Sequence, residues 1–147
     1  MVGGQVDDLA WEKAGNRTLE GLEHLHARKT GALIRASLRL GVLAAHADSA
    51  PNADLLERFD GFGRCLGLAF QITDDLLDVV GVAENAGKRV GKDAARGKLT
   101  YPGLLGIAES RARAGRLGAE AREYLAPLSP AADQLLRLVA LVLERDR

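Results

Sequence analysis

The sequence predicts an all-α protein. Ala, Leu, Arg and Glu, which favour helices, make up much of its 147 residues. Apolar residues recur at helical spacings, whereas the alternation of apolar and polar residues that marks a half-buried strand is scarce. The length suits one domain with one hydrophobic core, and neither a repeat nor a second domain is visible. We therefore expect a single helical domain over residues 1–147.

Two long helices are expected first. Thr18 is a suitable N-cap, and the apolar pattern that follows it predicts a helix over residues 19–46. A loop around Pro51 then precedes a second helix, expected over residues 53–80. Several glycines lie inside these helices, where each lowers stability by about 1 kcal/mol relative to Ala. Such glycines indicate the close approach of another helix or of a ligand.

Three shorter helices are expected after residue 100, over residues 102–114, 116–126 and 130–145. Pro102 suits the first turn of the first of them, because its backbone is pre-organised for that position. Two further prolines separate the last two helices, since a proline inside a helix breaks it. The last helix carries leucines at helical spacing, which predicts one inward face.

Charge and composition narrow the classes of partner. The 20 basic and 20 acidic side chains balance, so no bulk attraction to nucleic acid or to an anionic membrane is expected. Aromatic residues make up only 4% of the chain, too few for base-stacking surfaces. No apolar run reaches the roughly 18 residues of a membrane span, and no signal-peptide pattern is visible. With a single cysteine, Cys65, in an apolar stretch, the expectation is a cytoplasmic protein.

Three carboxylates interrupt an apolar run at residues 70–80. If that run is helical, one face carries four polar residues at spacings of three, four and seven: Gln71, Asp74, Asp75 and Asp78. Buried charge is unfavourable unless it is paired or bound to metal, and like charges one turn apart repel each other. A divalent-metal site is therefore favoured over a solvated acidic stripe. Gly67, one turn upstream of Gln71, is expected to leave open space beside this face.

A basic, glycine-containing segment follows directly, over residues 81–101. It has five Lys or Arg residues against two acidic ones, and Lys88 and Lys98 each follow a glycine. Carboxylates without a Cys/His cluster favour a hard cation bound through oxygen, hence Mg²⁺. With Mg²⁺ on one side and lysines on the other, such a site would grip a diphosphate and stabilise it as a leaving group. The alternative for this segment is an ordinary solvated connection.

These motifs together resemble the trans-isoprenyl diphosphate synthases, also called polyprenyl synthetases, in particular the bacterial farnesyl and geranylgeranyl diphosphate synthases. Five segments carry the resemblance in order: GGQ-x-x-DL at 3–9, H-x-x-KTGALIR at 26–35, FQ-x-x-DD-x-x-D at 70–78, GK with GKD at 87–93, and GKLTYP at 97–102. Any one of them occurs by chance, whereas five in this order and spacing are specific.

The resemblance implies an all-α isoprenoid synthase fold, a helical bundle around a central cavity. It also implies a prenyltransferase of isoprenoid biosynthesis, which condenses isopentenyl diphosphate with an allylic diphosphate. In that reaction the allylic C–O bond ionises as Mg²⁺ and lysines draw off the diphosphate. The alkene then attacks the allyl cation, and a proton is lost.

The resemblance further implies roles for individual residues. In the second aspartate-rich motif, Asp74 and Asp78 would ligate Mg²⁺, and Asp75 would act there as a ligand or through water. The diphosphate would be held by basic side chains, namely Lys29, Lys88, Lys98 and Arg147. The expected catalytic residues are Lys29, Thr30 and Gln71, the last two facing the reacting centre. Arg145 also belongs to the basic C-terminus, which helps to close the site in this family.

The resemblance covers only the C-terminal half of such an enzyme. The first aspartate-rich motif, the upstream residues for isopentenyl diphosphate and the residues that set product chain length have no counterpart in residues 1–147. The chain is therefore expected to be a partial polyprenyl synthetase domain, inactive by itself, that forms a homodimer or associates with a complementary synthase half. The alternative is a non-catalytic partner subunit of a prenyl diphosphate synthase. A terpene cyclase of the same fold is less favoured, because those enzymes typically carry an Asn/Ser/Glu metal motif instead.

Overall fold

A computed structural model describes residues 18–84 and 99–145, and within these ranges it contains helices, turns and no strand. The all-α prediction is confirmed. The elements in chain order are α1 (Leu19–His26), a π-helical turn (Ala27–Gly31), α2 (Ala32–Ala45), α3 (Ala53–Glu84), α4 (Tyr101–Leu105), α5 (Ile107–Leu125), a 3₁₀ turn (Ala126–Leu128) and α6 (Asp133–Glu144).

The helix expected over residues 19–46 is present, but it contains a π-helical turn. The Thr18 side chain caps its start by accepting a hydrogen bond from Gly21 N at 3.3 Å, as the sequence predicts. The π-helical turn inserts a wider turn at Ala27–Gly31, between α1 and α2. No feature of the apolar spacing indicated this turn. It matters because it contains two of the expected site residues.

Helix α3 is the centre of the bundle. It spans 32 residues, Ala53–Glu84, which corresponds to a length of about 48 Å. Its fully buried apolar residues recur at helical spacing and are Phe62, Cys65, Ala69, Ile72 and Leu76. Helix α5 packs along it most extensively, and α2, α4 and α6 also contact it. The site residues on α3 are thus carried by the most enclosed helix of the fold.

The C-terminal helices differ from their predicted bounds. The predictions of helices over 102–114 and 116–126 are wrong, because the chain breaks at Gly106 and then continues as one helix, α5. Gly106 has a positive φ of 79°, a left-handed conformation that favours glycine. Helix α6 begins at Asp133 rather than at residue 130, and Ser129 Oγ contacts its first carboxylate at 3.0 Å.

The core forms where α3 meets α1, α4, α5 and α6. Its fully buried side chains include Leu22 from α1, Tyr101 from α4, Leu125 from α5 and Val139 from α6. Over the described ranges, no helix combines the length and the apolar character needed to cross a bilayer.

Candidate functional site

The three aspartates of α3 occupy different environments. Asp74 points outward, with 57% of its side chain exposed. Asp75 is only 7% exposed. Asp78, one turn beyond Asp74, is half-buried, while Gln71 is buried at the preceding turn. The four polar residues therefore lie on adjoining parts of the helix surface and not on one uniformly solvated stripe.

The Asp75 side chain connects α3 to α4. Its Oδ2 atom accepts a hydrogen bond at 2.9 Å from the backbone N–H of Tyr101, the first residue of α4. The preceding Thr100 caps the same helix, because its Oγ1 accepts from Gly103 N at 3.2 Å. A carboxylate that accepts from an N–H forms a charge-assisted hydrogen bond, which is stronger than a neutral one.

The ring of Tyr101 continues this connection to α1. It stacks on the ring of His26, with the centroids 5.6 Å apart and an interplanar angle of 15°. Both residues are buried, and burial raises the pKa of Tyr101 above its usual value. His26 is the residue directly before the π-helical turn. Three elements that are distant in sequence therefore meet at Asp75, Tyr101 and His26.

The π-helical turn lies against α3 at a contact between two glycines. A Cβ atom added to Gly67 would lie 3.1 Å from Gly31 Cα, so a side chain at Gly67 would crowd this approach. One turn earlier on α3, Gly63 faces Leu38 and Arg35 of α2. Because the later residue of α3 pairs with the earlier residue of its partner, the two helices run antiparallel.

This packing locates two expected site residues and corrects one prediction. Since Gly31 is level with Gly67, the half-buried Lys29 and Thr30 lie toward the part of α3 that holds Gln71. The expected open space beside Gly67 does not exist, because the π-helical turn fills it. That prediction was wrong because helical spacing cannot show which remote segment covers a given face.

A basic side chain from the C-terminal end lies beside the outward aspartate. Arg145 Nη2 is 3.8 Å from Asp74 Oδ1, and its guanidinium lies 4.6 Å above the centre of the Phe70 ring. Both contacts place the end of α6 at the same part of α3. The pair is exposed enough that its contribution to stability is at most about 1 kcal/mol.

The remaining expected site residues are Lys88, Lys98 and Arg147, and all three lie outside the described residues. The sequence predicts no site role for Tyr101, although this residue belongs to the GKLTYP segment. Its hydrogen bond to Asp75 joins positions 26 residues apart, which no local spacing reveals.

The family model described as Polyprenyl synthetase matches residues 1–124. The chain belongs to the polyprenyl synthetase family.

Two curated relatives illustrate the match. The chain is 44% identical over 145 residues to a dimethylallyltranstransferase of Fischerella ambigua, covering 99% of this chain and 41% of that protein. It is 46% identical over 129 residues to the farnesyl diphosphate synthase of Escherichia coli, covering 88% of this chain and 42% of that protein. The polyprenyl synthetase chain thus spans about two fifths of the length of these relatives.

Two solved structures share the fold. A geranylgeranyl pyrophosphate synthetase from Pyrococcus horikoshii superposes with a TM-score of 0.80 at 26% identity, over 97% of this chain and 54% of that one. A geranyltransferase from Helicobacter pylori, complexed with magnesium and isoprenyl diphosphate, gives a TM-score of 0.74 at 33% identity. The superposition covers 97% of this chain and 45% of that one. These likenesses support an all-α isoprenoid synthase fold for the chain.

Among the described residues of this polyprenyl synthetase chain, the donor atoms fit Mg²⁺ when a phosphate supplies further oxygens. Within residues 18–84 and 99–145, no three His, Cys, Asp or Glu side chains are grouped so that they could hold a metal. Asp74 and Asp78 nevertheless lie one helical turn apart, and neither is fully buried. Mg²⁺ in proteins is usually held by one or two carboxylates, several waters and substrate phosphates. Asp74 and Asp78 supply two such carboxylates, so these residues fit a Mg²⁺ ion whose remaining ligands come from water and phosphate.

Proposed function

We propose that this chain supplies the second aspartate-rich, metal-binding motif of a prenyltransferase that condenses isopentenyl diphosphate with an allylic diphosphate. One observation carries the proposal: Asp74 and Asp78 lie one turn apart on α3, and the turn that holds Lys29 packs against the same helix. Carboxylates for a metal and a lysine for phosphate then come from adjacent elements. The family match and the relatives named as prenyl diphosphate synthases support this interpretation.

The proposed roles divide between leaving-group and cation stabilisation. Asp74 and Asp78 would hold Mg²⁺, which when bound neutralises the charge that develops on the departing diphosphate. The basic side chains would bind the same diphosphate, and they are Lys29, Lys88, Lys98 and Arg147. The Thr30 hydroxyl and the Gln71 amide would orient their oxygens toward the allyl cation and lower its energy. The Helicobacter pylori relative, with magnesium and isoprenyl diphosphate in its structure, supports this choice of metal and ligand.

The condensation requires more than this chain. Because the chain spans about two fifths of its curated relatives, we propose that activity needs a complementary synthase half, alone or within a homodimer. The purified 147-residue chain is expected to give no condensation of geranyl with isopentenyl diphosphate. Clear turnover by the chain alone, measured with radiolabelled isopentenyl diphosphate, would refute this expectation.

A binding experiment tests the metal site without requiring turnover. We expect Mn²⁺, measured by electron paramagnetic resonance in the presence of inorganic diphosphate, to bind the wild-type chain. Asp74→Asn and Asp78→Asn should each weaken that binding at least about tenfold. Even the loss of a residue that only hydrogen-bonds to a metal ligand lowers metal affinity about 10–100-fold. Asp48→Asn, which changes an exposed aspartate in the loop after α2, is the matched control. Equal affinities in all four proteins would contradict the proposed metal site.

A non-catalytic partner subunit is the second candidate function. The observation that favours it is the large exposed fraction of three leucines on α2, which are Leu33, Leu40 and Leu43. Exposed apolar surface of this kind marks interaction sites. Co-purification with an intact synthase, together with wild-type Mn²⁺ binding in the Asp74→Asn variant, would favour this candidate over the first.

A further inference from the structure

The two adjacent aspartates of α3 face different neighbours. Asp74 has 57% of its side chain exposed and lies near Arg145, whereas Asp75 is buried and accepts a hydrogen bond from Tyr101 N. Successive residues on an α-helix point in directions about 100° apart, so Asp74 and Asp75 meet different neighbours although both belong to the polar face. One oxygen of Asp75 is thus already committed to a backbone N–H.

The contact of Asp75 leads to the proposed diphosphate-binding turn in two steps. Tyr101, whose N–H donates to Asp75, is fully buried and stacks on His26 at 5.6 Å. His26 is itself buried and directly precedes the π-helical turn, which contains Lys29 and Thr30. The position of that turn on α3 is fixed from its other end by the contact between Gly31 and Gly67.

We propose that Asp75 is a positioning residue for the Lys29–Thr30 turn, acting through Tyr101 and His26, and not a metal ligand. Its hydrogen bond to Tyr101 N fixes α4 in the position where the Tyr101 ring stacks on His26. The π-helical turn that follows His26 therefore keeps one orientation before any ligand binds. Side chains that already have the binding orientation hold phosphate more tightly, because they lose little conformational entropy when the phosphate binds. This inference rests on the proposed function, since it assigns Lys29 to diphosphate.

The choice of substitution separates the two roles. Asp75→Asn keeps a side-chain oxygen that can accept from Tyr101 N but loses the negative charge that a metal ligand supplies. We expect this variant to bind Mn²⁺ with inorganic diphosphate within about threefold of wild type, whereas Asp74→Asn loses at least about tenfold. Asp75→Ala, which removes the acceptor, should lose about tenfold in diphosphate affinity. If Asp75→Asn weakens Mn²⁺ binding as much as Asp74→Asn does, Asp75 is a ligand and the inference fails.

A double-mutant cycle distinguishes positioning from general loss of stability. In a Lys29→Ala background, Asp75→Ala should cause little further loss of diphosphate binding, because both changes act through the same side chain. Leu117→Ala on α5, a core truncation far along the sequence from the turn, is the control: it should lower the unfolding temperature while leaving diphosphate binding unchanged. Additive losses in the cycle, or the same loss in Leu117→Ala, would overturn the inference.

Hydrogen exchange of the metal-free chain gives a test that does not depend on the proposed function. Amides of residues 26–31 should exchange about tenfold faster in Asp75→Ala than in wild type, because the support of His26 is lost. Protection there should be recovered in Asp75→Asn and should be unaffected in Leu117→Ala at matched stability. If Lys29→Ala and Asp74→Asn leave ligand binding unchanged, the proposed function fails, while the exchange result still decides whether Asp75 positions the turn.

Discussion

At the scale of single residues, burial sets the chemistry of the thiol on α3. Cys65 is fully buried in the core beside Phe62 and Ala69, and this burial raises the pKa of its thiol to about 12. A buried thiol with a raised pKa is unreactive, because the thiolate is the nucleophilic form. Cys65 therefore acts as a core residue of α3 and has no role in the proposed diphosphate site.

The raised pKa predicts a loss of stability at alkaline pH. The ordinary thiol pKa is 9.0 and the folded value is about 12, so the folded state binds more protons between these values. Ionisation of this thiol leaves the free energy of unfolding unchanged below about pH 9. It lowers that free energy as pH rises from 9 toward 12, by at most about 1.4 kcal/mol per pH unit. Urea unfolding at pH 8 and pH 10 should show the fall.

The variant Cys65→Ala checks the origin of this pH dependence. It should be less stable at pH 8, because it leaves a small cavity, but it should lose less stability between pH 8 and pH 10. Some dependence will remain, since burial also raises the pKa of Tyr101. An unchanged slope in Cys65→Ala would show that the thiol is not responsible.

At the scale of elements, a glycine contact holds the π-helical turn on α3. Two glycines with opposite surroundings offer a matched pair. A Cβ atom at Gly67 would approach Gly31 Cα to 3.1 Å, while one at the exposed Gly41 of α2 would meet nothing within 4 Å. The same substitution should therefore have opposite effects at the two positions.

We expect Gly67→Ala to destabilise the chain by about 1–3 kcal/mol, because backbone must move away to accommodate the methyl group. Gly41→Ala should stabilise it by about 0.5–1 kcal/mol, since Ala loses less conformational entropy in a helix. Thermal unfolding of both variants measures the difference. Stabilisation by Gly67→Ala would mean that the turn does not pack against α3 as described.

At the scale of the whole molecule, apolar side chains remain on the surface of two helices. On α2, Leu33, Leu40 and Leu43 are 55%, 65% and 45% exposed, and on α6, Leu138 and Leu141 are 46% and 64% exposed. The chain corresponds to about two fifths of its curated relatives. Surfaces of this kind favour association through the hydrophobic effect.

We predict that the isolated chain associates in a concentration-dependent way and that α2 contributes to the contact. The double variant Leu33→Lys with Leu40→Lys should shift the sedimentation profile toward the monomer, because charged side chains oppose burial. Ala112→Lys with Ala119→Lys, on the exposed face of α5, adds the same charge without removing a leucine. Equal shifts in both double variants would indicate a charge effect unrelated to the leucines.

The sequence by itself determined the helical class, the approximate course of α1 to α3 and the family. Helical periodicity and residue order are local properties, and five ordered motifs are sufficient for a family match. The same locality explains the errors after residue 100, where Gly106 ends a short helix by adopting a positive φ that composition does not reveal.

Only the tertiary structure decided how the carboxylates of α3 divide between partners. Spacing placed Asp74 and Asp75 on one face, but Asp74 lies beside Arg145 and Asp75 bonds to Tyr101, and both partners are distant in the chain. The tertiary structure also placed Gly31 in the space expected beside Gly67. The angle at which a side chain leaves a helix follows from local geometry, whereas the group it meets depends on how remote segments pack, and that depends on the whole core.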